Sequence, residues 1–358
     1  MTLRIGLSLS PTWLRGDSWR QRASGAESMF STEFYLGPAK LAEAAQLDFL
    51  FKPDAGFLDP APLGRGVGFA ALDSIVLMTA LATQTSQIRL IPTISSTFAH
   101  PYTVARQLQS LDQLSGGRVG WNVVTSLGGA QNFPESSVDD PYANATDFVE
   151  MIEALRQTFP ADALLVDRRN GRFADISTLK TATPRGRYAS DGPIPVPAVS
   201  QRRWPLVHAG GSARSREFAA QYADLVFAMA STPEDSQRQR AALRAAAEPR
   251  RRRVGLLPGL ALCLADTRAE AQRLAQEAGT RGTGAHVQHW SVTGTPDDAV
   301  VAITEWADTE ACDGLIVLPI GSIRSLELFT SEVVPALVAS GHYRSPQHPG
   351  PSRQERQR

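Results

Sequence analysis

Eight short apolar runs, each followed by a segment of helical period, divide this chain. The runs are Arg4–Leu9, Phe49–Lys52, Ile88–Ile94, Val119–Ser126, Leu206–Ala209, Leu225–Met229, Gly255–Leu264 and Gly314–Leu318. Several are apolar throughout, as parallel strands covered on both faces are. The amphipathic stretches fall at residues 37–47, 72–84, 101–114, 142–159, 215–223, 233–247, 267–279, 296–311 and 325–340, with Pro101 placed to open its helix. Strand followed by helix, repeated eight times, predicts an α/β fold with a parallel sheet, and the count favours a closed (β/α)8 TIM barrel with insertion segments over an open sheet. The expected organisation is one barrel domain over residues 1–345, interrupted near 160–205 and 279–295, and a flexible tail at 346–358. The first interruption is rich in Pro, Gly and Arg and reads as a functional loop or a small extra substructure. The second, GTRGTGAHVQHWSVTGT, reads as an irregular stretch or lid.

Several function classes lose support at once. Lys+Arg and Asp+Glu number 36 each in 358 residues, so no electrostatic case exists for nucleic acid or an anionic membrane. The run Arg250–Arg253 sits beside acidic and apolar sequence and reads as a solvated loop. The two cysteines, Cys263 and Cys312, have no metal-ligand spacing and read as buried free thiols of a cytoplasmic protein. The N-terminus lacks the features of a signal peptide, and no apolar run reaches membrane-spanning length. The six histidines form no metal signature, and no GxSxG, P-loop or GxGxxG context occurs.

In a barrel, chemistry sits on the loops after the strand ends. Strand two ends in Lys52-Pro53-Asp54. Strand three ends in the hydroxyl-rich Thr93-Ile94-Ser95-Ser96-Thr97, and strand four carries Asn122, an amide that needs a ligand or a neighbour inside a barrel. Strand five ends in His208-Ala209-Gly210-Gly211-Ser212. The glycines allow a tight turn, and Ser212 is placed to cap a helix whose first amides attract an anion, although a plain capped turn has the same sequence. Asp54 reads equally as a ligand contact or a turn cap, and Tyr142 as a contact or a packing aromatic. His100, His208, His286 and His289 are the candidate bases, and none is distinguished.

Several blocks together resemble the nitrilotriacetate and dibenzothiophene-sulfone monooxygenase branch of the bacterial-luciferase-like superfamily. They are STFAHPYTVARQLQSLDQLSGGRVGWNVVTS (96–126), AQNFP (130–134), PYANATDFVE (141–150), DGPIPVPAVSQRRWPLVHAGGSARSREFAAQYADLVFA (191–228), LLPGLALCLADTRAEAQ (256–272) and FTSEVVPALVASGHYR (329–344). The resemblance implies a (β/α)8 barrel and a two-component monooxygenase that uses reduced FMN and dioxygen, by way of a C4a-peroxyflavin, to oxygenate a small organic substrate. It places FMN contacts on Asp54, Thr93, Tyr142 and Ser212, with Tyr142, Ser212 and the adjoining Gly211 at the phosphate and Asn122 lining the same pocket. It implies an NAD(P)H-dependent flavin reductase as partner, and a homodimer or homotetramer in which helix 72–83 is either an interface or part of the barrel shell. This sequence departs from the family's pattern at Val138, where a histidine is usual, at His208, where a glutamine is usual, and between Ala275 and Thr295, where it is shorter. Two alternatives stay open: an F420-dependent reductase or dehydrogenase of the same superfamily, and a non-catalytic flavin-binding barrel.

Overall fold

The computed structural model describes residues 2–126, 128–134, 136, 138–279 and 289–344. All eight expected strands are present: β1 (Arg4–Ser8), β2 (Phe49–Lys52), β3 (Arg89–Ser95), β4 (Trp121–Val124), β5 (Leu206–Ala209), β6 (Leu225–Ala228), β7 (Gly255–Leu264) and β8 (Gly314–Pro319). Each pairs in parallel with the next, and β8 pairs with β1, so the sheet closes. The fold is a (β/α)8 barrel.

Alternation along the strands builds two cores. Phe49, Phe51, Ile91, Val207, Leu225, Leu257 and Ile316 fill the barrel interior. Their strand neighbours Leu50, Leu90, Leu206, Val226, Leu256 and Leu315 point outward into the larger core beneath the helices. Gly6 is required by the first of these cores: a Cβ there would lie 2.1 Å from the Phe49 ring.

The helices that position the site are α1 (Thr32–Ala44), α2 (Ser74–Ala82), α3 (Pro101–Ser115), α4 (Pro141–Arg156), α5 (Ala213–Tyr222) and α6 (Pro233–Ala247). The first starts five residues before Gly37, where sequence placed it. The Ser31 side chain accepts a hydrogen bond from Phe34 N and caps the helix, and Pro38 falls inside it. Helix α2 buries Leu77, Met78 and Leu81 against the shell and leaves Val76 exposed.

Both segments expected to be irregular contain strands. A hairpin of Leu164–Asp167 and Arg172–Ala174 lies in the first. In the second, Trp290–Gly294 forms a strand parallel to the outer half of β7, with Trp290 N donating to Ala230 O above β6. Residues 280–288, including His286, and the expected tail lie outside the described residues. Cys263 and Cys312 are both free and buried, with thiols pushed up by burial to about 11 and about 12. No helix among the described residues is long and apolar enough to cross a membrane.

The loop leading into β3 is held by two side chains of opposite charge. Glu43 of α1 accepts from the amides of Ser86, Gln87 and Ile88. Arg118, which is buried, donates to the carbonyls of Ala82, Thr85, Ile88 and Ser115 and to Thr85 Oγ1. Removing the guanidinium would strand several buried acceptors. Arg118→Ala is therefore expected to lower the unfolding free energy by about 3 kcal/mol. Urea titration checks this, and a loss below about 0.5 kcal/mol would show that the clamp is dispensable.

Candidate active site

Thr93 and Asn122 share the interior-facing parity of Ile91 and lie directly opposite each other in the β3–β4 register. Asn122 is 1% exposed and its Nδ2 donates to Thr93 Oγ1 at 3.0 Å. Its Oδ1 is equally buried and has no protein partner. An orphaned buried acceptor costs about 1–3 kcal/mol, so Asn122 is a polar group of the barrel interior that the described residues leave half satisfied.

Asp54 makes the backbone contacts of a cap, one of the two roles that sequence allows it. It is exposed, and its carboxylate accepts from Ser74 N at 3.1 Å and Ala55 N at 2.9 Å. Ser74 was not singled out by sequence, yet it joins three of these elements: its amide meets Asp54, its hydroxyl donates to Lys52 O, and the same oxygen accepts from Thr93 N. The only sequence signal was its place after Asp73, which caps α2. Lys52 points outward with Leu50, is 1% exposed and has its pKa lowered by burial; its Nζ donates to Pro53 O.

Next to β4 in the barrel, β5 runs through Gly210 and Gly211 into α5. A side chain at Gly210 would lie 2.4 Å from Ser215 Oγ. Ser212 caps α5 by accepting from Ser215 N at 3.1 Å. Tyr142 opens α4 alongside, so the starts of two helices meet. Its ring packs edge-on to His208 and lies under the Arg214 guanidinium, 5.6 Å from the ring centroid. Arg214 is ion-paired with Asp140, the α4 cap. A cleft of about 450 Å³ opens here, lined by Tyr142, Ala143, Thr146, Ala213, Arg214 and Phe218. Val138 lies in the loop before α4.

The described candidate bases separate by geometry. His208 points away from the barrel interior, because β5 alternation turns Val207 and Ala209 inward. Its Nδ1 donates to Val123 O at 2.8 Å, since a carbonyl only accepts, and its Nε2 accepts from the Ser215 hydroxyl at 2.9 Å. Both nitrogens are occupied, and burial lowers its pKa. His100 caps α3 through Nδ1, which accepts from Tyr102 N. His289 is different. It stacks on Phe227 at 5.5 Å and rests on Gly259, where a Cβ would be 2.5 Å from its Nδ1. Gly259 shares the inward parity of Leu257, so the imidazole enters the barrel mouth. Its Nδ1 is buried without a partner among the described residues, and burial, then Arg15, lowers its pKa to about 4. The basic run 250–253 lies before β7, at the opposite end of the barrel from this mouth; Arg250 pairs with Glu217 and Arg252 with Asp224.

The His208 bridge has a thermodynamic sign. Its folded pKa lies below the ordinary value of 6.5, so the unfolded chain binds its proton first as pH falls. The bridge's contribution is complete above about pH 7 and declines as pH drops through 6.5. His208→Gln is expected to lose less stability than the parent between pH 7 and 5.5, measured by denaturant midpoints across that range. Parallel slopes for the two proteins would refute the bridge as a titrating contact.

Comparison with known proteins follows the same outline. A family model, Luciferase-like monooxygenase, matches residues 17–310. N-acetyl-S-(2-succino)cysteine monooxygenase of Bacillus subtilis (strain 168) is 27% identical over 423 residues, covering 96% of this chain and 93% of that protein. Dibenzothiophene-sulfone monooxygenase of Rhodococcus erythropolis is 35% identical over 234 residues, covering 62% of this chain and 51% of the relative, so the match spans about half that relative's length. A riboflavin lyase crystallised with modified FMN and riboflavin shares the fold, with a TM-score of 0.86, 24% identity and coverage of 98% of this chain and 94% of that one. The family match covers most of the chain and both curated relatives are monooxygenases: this chain is an oxygenase-type enzyme and belongs to the luciferase-like monooxygenase family.

Proposed function

We propose that this chain is the oxygenase component of a two-component flavin-dependent monooxygenase, a single barrel domain that receives reduced FMN from a separate NAD(P)H-dependent flavin reductase and oxygenates a small organic substrate. The observation that carries the reading is the unpartnered Asn122 Oδ1 inside the barrel, on the same mouth as the helix starts at Tyr142 and Ser212. A reduced flavin matches both ends in chemistry. Its ring carries N–H donors for the buried acceptor, and its phosphate suits the first-turn amides of α5 together with Gly211, Ser212 and Tyr142.

Bound reduced FMN supplies the two electrons with which dioxygen is split, one oxygen atom going to the substrate and the other leaving as water. The protein's residues supply place and environment. Asn122 orients the ring from β4, and Thr93 fixes the Asn122 amide. Asp54, through Ser74, holds the ends of β2 and β3 at the rim. Phe51 and Phe227, 5.3 Å apart, form an apolar floor that keeps water out. His289, neutral at pH 7, offers its free Nδ1 to whatever lies against β6 and β7.

The test is anaerobic titration of the protein with reduced FMN and, in parallel, reduced F420, followed by oxygen uptake in air with a flavin reductase. Binding of reduced FMN and oxygen uptake are expected. Binding of F420 alone would move the protein to the reductase reading, and binding of neither would remove the flavin. In the same assay Asn122→Leu is expected to weaken reduced-FMN binding about tenfold, while its unfolding free energy stays within about 1 kcal/mol of the parent. A large stability loss with unchanged binding would make Asn122 a purely structural residue.

A further inference from the structure

We propose that Arg214 is the residue by which this site selects a phosphorylated flavin, exchanging the Asp140 carboxylate for the flavin's phosphate. The inference rests on the reading above that the flavin phosphate lies at the start of α5 beside Ser212 and Tyr142. Arg214 is the second residue of α5, two positions after the capping Ser212, and its guanidinium lies over the Tyr142 ring. Its carboxylate partner does two jobs with two oxygens. Asp140 Oδ1 accepts from the amides of Tyr142 and Ala143 and caps α4, while Oδ2 holds Arg214. The guanidinium, first among the causes, holds the Asp140 carboxyl below its ordinary pKa, so the carboxylate stays ionised at neutral pH.

The charges at the cleft favour such an exchange. The chain's net charge is zero, so no general field draws a phosphate in. A flavin phosphate carries close to two negative charges at neutral pH. With Asp140 already ionised at the rim of the cleft, a second anion meets a like charge unless a cation is shared or transferred. Arg214 is that cation. Its side chain is 59% exposed and that of Asp140 42%, and exposed ion pairs are weak enough to change partners. A guanidinium meets a phosphate through two parallel hydrogen bonds, and Asp140 keeps its cap when Arg214 leaves. Arg216 lines the same cleft and is the competing source of positive charge.

The experiment is anaerobic titration of the full chain with reduced FMN and with reduced riboflavin, which has the same ring and no phosphate, for the parent, Arg214→Gln, Asp140→Asn and Arg216→Gln. Arg214→Gln is expected to weaken reduced FMN about tenfold and to leave riboflavin unchanged. Asp140→Asn keeps a capping oxygen, removes the competitor, and is expected to tighten reduced FMN severalfold with riboflavin again unchanged. Equal shifts for both flavins in Arg214→Gln, or the FMN loss appearing in Arg216→Gln instead, would overturn the assignment. Weaker FMN binding in Asp140→Asn would overturn the exchange and leave Asp140 as a support for Arg214. A parent that binds neither flavin would sink the flavin reading itself, an outcome distinct from all of these.

Discussion

The seam between the first and last strands is the contact on which the rest of this molecule depends. There Arg4 of β1 faces Gly314 of β8 so closely that a Cβ on Gly314 would lie 2.1 Å from the Arg4 carbonyl oxygen. Closing that seam gives each of the eight barrel strands a neighbour on both sides. Closure also creates a single interior, and an interior admits a polar group only where something satisfies it. The setting of Asn122 follows from this: on an open sheet its Oδ1 would find water, whereas in a closed barrel it is cut off from solvent and left unpaired by the described residues.

The two ends of the barrel divide the work. At the end where β3 begins, Glu43 and Arg118 saturate one loop with hydrogen bonds and leave no valence for a ligand. At the other end, polar atoms are left over: Asn122 Oδ1, His289 Nδ1 and the first amides of α5. His208, although it lies in strand five beside the glycine turn, belongs to the saturated class. It ties Val123 of β4 to Ser215 of α5, and so links the wall that carries Asn122 to the helix start expected to hold a phosphate.

Much of this was legible in the sequence. Strands such as Leu206–Ala209 and Gly255–Leu264 are visible because burial on both faces forces uninterrupted apolar runs. The hairpin at 164–174 falls where sequence allowed a small extra substructure, but its strands were not located because Leu164, Leu165, Val166 and Phe173 are exposed and no buried face imposes a period of two. The start of α1 was missed because Gly37-Pro38 reads as a helix opening, while Ser31 does the capping. The site was half legible. Residue type and position flagged Thr93, Asn122, Tyr142 and Ser212, but strand parity decides which way a side chain points, and that separated the outward His208 from the interior. His289 could not be told from its neighbours by sequence, since only Gly259 and Phe227, distant in the chain, make room for its ring. Ser74 is a hub only because three chain segments converge on one hydroxyl and one amide.

The central claim is that the polar atoms left unpaired in the barrel mouth are the cofactor's contacts. An anaerobic crystal structure of the protein with reduced FMN tests it most directly. The account expects Asn122 Oδ1 within hydrogen-bond distance of a flavin ring N–H, with the phosphate at the start of α5 beside Tyr142 and Ser212. A flavin seated elsewhere, with Asn122 Oδ1 still unpartnered, would contradict it.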